Sequence, residues 1–112
     1  MDKQAELIEI KIKIIEKIVA KMSMINSILS IESKNTISFK YNKDKIVKVE
    51  KSMYRTGIYA TDMFLIYIND DFICAIKKEN KFFNYFQSLF DKVEQTVYVK
   101  EIEKFNDILD SL

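Results

Sequence analysis

The 112-residue sequence contains no histidine, tryptophan or proline, and it has a single glycine, Gly57, a single cysteine, Cys74, and a single arginine, Arg55. Without histidine, Ser-His and Cys-His nucleophile pairs cannot form, and the commonest general base at neutral pH is missing. The same absence, together with one cysteine, removes the Cys/His zinc sites. One glycine cannot build a phosphate-cradling loop or a dinucleotide-binding turn. One cysteine gives no disulfide framework, which fits a reducing compartment. The longest apolar run, Met63 to Ile68, has six residues, against the roughly 20 that a membrane-spanning helix needs. The first residues, MDKQAELIEIKIK, scatter charge where a secretory signal would carry an apolar stretch. These absences predict a soluble cytoplasmic chain with no membrane segment, no cofactor and no metal centre.

Hydrophobic residues make up 48% of the chain and charged residues 31%. A 13.3 kDa chain of this composition supports one domain over residues 1–112 with a core that needs no staple. Its 18 basic and 17 acidic residues leave a net charge of +1, which argues against a general polyanion binder and against a disordered charged chain. Seventeen lysines stand against one arginine, and Ile, Asn, Phe, Tyr and Met are abundant while Gly, Ala and Pro are scarce. That bias points to an AT-rich genome, most simply a bacterial, phage or plasmid gene.

Hydrophobic spacing predicts the elements. Over residues 3–31, Leu7, Ile8, Ile12, Ile14, Ile15, Ile18, Val19, Met22, Ile25 and Leu29 fall on one arc of about 200° at helical pitch, with Asp2 placed to cap the start. The alternation from Ile8 to Ile14 competes as a strand pattern, but it stops at residue 15 while the helical pattern runs on. An arc this wide predicts a helix buried between two layers or one with spare surface for a second copy. A monomer is favoured over a homodimer.

Short alternating runs follow, at Ile37–Tyr41, Ile46–Glu50, Tyr54–Tyr59 around Gly57, Met63–Ile68 and Phe72–Lys77, with turn chemistry at Asn42–Asp44 and Asn69–Asp71. Met63–Ile68 is apolar on both faces, as expected of an interior strand covered on both sides. Gly57, isolated within an extended pattern, suggests a bulge or bend. Asn80 is placed to cap a helix carrying Phe82, Phe83, Phe86, Leu89, Phe90 and Val93, and a last helix starts near Lys100 with Ile102, Phe105, Leu109 and Leu112 as its stripe. The expected fold is α+β: a long N-terminal helix, an antiparallel meander of four to five strands, and two C-terminal helices.

Carboxylates are the one remaining route to catalysis. Asp62, Asp70, Asp71 and Glu79 flank the 63–77 hairpin and could hold a hard cation, but turns select Asp for local hydrogen bonding. The acid-x-Lys triplets Glu9-Ile10-Lys11 and Glu32-Ser33-Lys34 lie on or beside the first helix rather than on the strands. Cys74, among Phe72, Ile73, Ala75 and Ile76, reads as a small buried hydrophobe with a raised pKa. The phenylalanine stripe of 82–90 reads as core rather than as a ligand pocket. The sequence therefore predicts no enzyme.

Charge is uneven. Residues 35–61 carry six basic against two acidic side chains, and residues 82–112 carry three against six. The basic 36–59 hairpin with its interleaved tyrosines could meet nucleic acid through phosphate contacts and stacking. A small compact chain without a catalytic kit is better suited to occupying another protein's surface, as immunity proteins and phage or mobile-element counter-defence inhibitors do. For that role the expected contact residues are Tyr54, Arg55 and Tyr59, with Lys48 and Lys51 steering: tyrosine and arginine anchor interfaces, and the planar five-donor fork of arginine cannot be copied by lysine.

Overall fold

The structure, a computed structural model, describes residues 2–24 and 29–112. Helix α1 spans Lys3–Met24 and is followed by strands β1 (Ser30–Ser33), β2 (Thr36–Asn42), β3 (Lys45–Thr56), β4 (Tyr59–Ile68) and β5 (Asp71–Ile76), and then by helix α2 (Phe83–Ser111). The strands form one antiparallel meander in the order β1-β2-β3-β4-β5. The α+β class and the meander are as the sequence predicts.

Local chemistry sets the boundaries. Asp2 caps α1, its Oδ1 accepting from the Ala5 N–H at 2.7 Å. In the β1–β2 turn Ser33 Oγ accepts from the Asn35 N–H, and in the β2–β3 turn Asn42 Oδ1 accepts from that of Asp44. The other two hairpins need left-handed backbone. Asn69 and Asp70 both have positive φ, 50° and 68°, the pattern of a type I′ turn. Gly57, at φ +64°, is the first of two loop residues between the paired Thr56 and Tyr59. The glycine is therefore a hairpin turn and not a bulge within a strand.

The helices differ from expectation at three points. Residues 30–31 belong to β1, not to α1: Ile31 pairs with Ile37 in the sheet and packs against the core, so strand pairing overrides the helical spacing. Ile25, also assigned to the apolar arc, lies outside the described residues. The C-terminal region is one helix of 29 residues, about 43 Å long, instead of two. No glycine or proline interrupts it, and Thr96 in its middle donates its hydroxyl to the Lys92 carbonyl. Asn80 does not cap this helix. Its Oδ1 accepts from the Phe82 N–H, closing a turn one step earlier, and the N-cap position is Phe82.

Both helices pack on one face of the sheet. The core joins Ile15, Ile18 and Met22 of α1, Ile37, Phe39, Val47, Val49, Phe64, Ile66 and Ile76 of the strands, and Phe86, Phe90 and Val93 of α2. Phe64 sits at its centre, its ring 5.3 Å from Phe90, 5.5 Å from Phe83 and 5.7 Å from Phe86 between centroids. The aromatic stripe is thus core. No polar side chain is buried among the described residues.

The two-layer arrangement corrects two expectations. α1 is not buried between layers: Leu7, Ile8, Ile10 and Ile12 of its first half are exposed. β4 is an interior strand, but the helices cover only its Phe64 and Ile66 side, leaving Met63, Leu65 and Tyr67 half-buried on a face that no helix covers. The molecule is long and flat, 67 × 43 × 21 Å.

Candidate functional site

The β3–β4 hairpin outruns the core. The last fully buried positions on these strands are Val49 and Phe64, and five further residue pairs, from Ser52–Met63 to Thr56–Tyr59, continue beyond them. At strand rise, Ser52 to Gly57 extends the arm by about 17 Å. Two contacts brace its base. On the helix side Lys51 Nζ lies 3.7 Å from Asp62 Oδ2, and on the open face Lys77 Nζ lies 5.0 Å from the centroid of the Tyr54 ring. Along the arm Met53, Arg55, Ile58 and Tyr59 are exposed, Ile58 at 88% and Tyr59 at 72%.

The five residues predicted to contact a partner divide between the two sides of the sheet. Tyr54, Arg55 and Tyr59 come together on the arm. Strand alternation puts Tyr54 and Tyr59 on the open face and Arg55 on the other side, where no helix reaches it. Lys51 belongs to the helix side and is engaged with Asp62. Lys48 is on the open face, six positions back from Tyr54, or about 20 Å, with its ammonium 5.1 Å from the centroid of Tyr67.

Two members of this surface escaped sequence reasoning, Met53 and Ile58. Ile58 follows the only glycine in the chain, and a hairpin reading of Gly57 would have placed it at the tip.

The basic residues do not converge. Lys43 and Lys45 sit at the β2–β3 turn and Arg55 near the far end of β3, with roughly 33 Å between Lys45 and Arg55. The acidic candidates are equally dispersed: Asp62 lies near the start of β4, while Asp70 and Asp71 follow its other end. No group of three or more His, Cys, Asp or Glu side chains gathers among the described residues.

A cleft of about 510 Å³ runs between α1 and β5, with Ile8, Ile12, Ile15, Cys74, Ile76 and Phe82 in its walls. Its two lysines are Lys11 and Lys81, and Lys81 bonds to Glu16 Oε1 at 3.0 Å. Burial raises the pKa of the Cys74 thiol, and the nearby Lys11 charge opposes that shift without cancelling it. A thiol so placed is a poor nucleophile.

No helix among the described residues is long and apolar enough to cross a membrane. Comparison with protein-family models, with curated proteins and with solved structures finds no match.

Proposed function

We propose that this chain is a small non-enzymatic inhibitor of the immunity or mobile-element counter-defence kind, which works in the cytoplasm by covering the surface of another protein with its β3–β4 arm. One observation carries the reading: the arm holds Met53, Arg55, Ile58 and Tyr59 in solvent beyond the core, beside a braced Tyr54. Exposed apolar side chains on a stiff hairpin gain little for the fold. Tyrosine and arginine are the residue types that dominate interface energetics. The braces at Lys51–Asp62 and Lys77–Tyr54 limit the conformational entropy lost on docking.

The test is capture of a partner from the native host, followed by affinity measurement with arm variants. Arg55→Ala and Tyr54→Ala should each weaken binding by about 1–3 kcal/mol with nearly unchanged melting temperatures. Wild-type affinity in both variants would move the interface off the arm. A salt-sensitive gel shift with an oligonucleotide, and no protein partner, would favour the nucleic-acid reading instead.

A further inference from the structure

Helix α2 changes character along its length. Phe86, Phe90 and Val93 are buried in the core, but from Tyr98 onward the apolar side chains stand in solvent. Tyr98, Ile102, Phe105, Leu109 and Leu112 follow one another at spacings of four, three, four and three. All five are exposed, Phe105 at 61% and Leu109 at 67%. At 100° per residue they form a narrow stripe about a third of a turn around the helix from the core-facing side. This part of α2 therefore does not fray off the core; it presents a second, separate face. The 4-3-4-3 spacing is that of a coiled-coil seam, in which each side chain inserts between those of a facing helix.

We infer that this seam joins two copies of the chain, with the 98–112 segments packed side by side and antiparallel about Phe105. A facing helix with the same spacing and length is what the seam fits, and a second α2 supplies it. With Val99 and Ile108, which are exposed along its flanks, a paired seam would cover on the order of 1,200 Å², the lower bound for a specific interface. At a net charge of +1, two copies approach without long-range repulsion.

Two features select the antiparallel arrangement. The sheet and α1 occupy the N-terminal half of α2, so a parallel pair would bring both bodies to the same end, whereas an antiparallel pair sends them to opposite ends. The helix dipoles favour the same choice. This surface is separate from the arm, and its pairing stands or falls independently of what the arm binds.

The test is the solution mass of the full chain at micromolar concentration, with cross-linking to fix orientation. Sedimentation should give twice the 13.3 kDa monomer mass, and the double variant Ile102→Glu/Leu109→Glu should return the monomer with its helical circular dichroism retained. In a Cys74→Ser background, Phe105→Cys should cross-link two chains on oxidation and Leu112→Cys should not, because antiparallel pairing places Leu112 opposite the partner's Tyr98. A wild-type monomer, or a dimer that survives the double variant, would overturn the pairing. Cross-linking through Leu112→Cys would overturn its direction. The Phe105→Cys cross-link reads out contact even if the glutamate variant misfolds.

Discussion

Asn69 and Ile46 hold each other through a reciprocal pair of hydrogen bonds. The Asn69 N–H donates to the Ile46 carbonyl at 2.9 Å, and the Ile46 N–H donates to the Asn69 side-chain Oδ1, also at 2.9 Å. This continues the β3–β4 ladder one step past the paired Val47 and Ile68. At φ 50° the Asn69 backbone has already turned into the hairpin, so its amide side chain takes the place of the main-chain carbonyl. The Asn69 Nδ2 then donates to the Asp44 carbonyl at 2.9 Å, tying the two turns at this end of the sheet together.

Replacing this side chain separates two effects. Asn69→Gly loses both side-chain bonds but adopts the left-handed backbone freely, and should cost about 1–2 kcal/mol. Asn69→Ala loses the same bonds and adds the left-handed penalty, roughly 1 kcal/mol more. Urea unfolding of the two variants checks the order; alanine as stable as glycine would show that the turn conformation carries no strain.

Phe64 makes the sharpest packing prediction. It is fully buried and touches the aromatic rings of Phe83, Phe86 and Phe90, the contacts through which α2 grips the sheet. Phe64→Ala should destabilise the protein by about 3–5 kcal/mol. Phe64→Leu, which leaves less of a cavity, should cost substantially less. The open-face neighbour Leu65, replaced by alanine, should cost less than Phe64→Ala because no helix packs over it. Equal losses at 64 and 65 in denaturant titrations would mean that both faces of β4 are covered.

Why some features were legible in the sequence and others not follows from where the determining forces lie. Alternation from Ile37 to Tyr41 and turn residues at Asn42, Asn69 and Asp70 specify strands and hairpins locally, and these are where the structure has them. β1 was hidden because Ser30–Ser33 is short and becomes a strand only by pairing with β2. The unbroken α2 was hidden because the valines and threonine of 96–99 lower helix propensity without stopping a helix. Coverage was the least legible property. Met63, Leu65 and Tyr67 look like core in one dimension, and only the placement of both helices on one face leaves them outside it. The arm shows the same limit: Tyr54, Arg55 and Tyr59 could be picked by residue type, whereas the exposure of Met53 and Ile58 depends on the hairpin overrunning the core.

Cys74 links packing to pH. Its thiol sits beside the buried Ile66 and Ile76 and, by Ile8 and Ile12, in the cleft between α1 and β5, and burial raises its pKa above the ordinary thiol value despite the charge of Lys11. The folded state therefore holds the thiol proton more tightly than the unfolded state does. This contribution to stability is fully present below the unfolded thiol pKa, about 8.5, and is lost as the pH rises through the higher folded value. Cys74→Ala removes the titrating group, so its stability should fall less steeply than that of the wild type on the alkaline side, whatever the cost of the lost sulfur at neutral pH. Chemical denaturation from pH 7 to pH 10 measures both slopes. Alkylation of the native protein should be slow at neutral pH, and its rate should climb at a higher pH than for the unfolded chain. Parallel stability curves for wild type and variant, or a native thiol as reactive at neutral pH as the unfolded one, would place Cys74 in water instead of against α1.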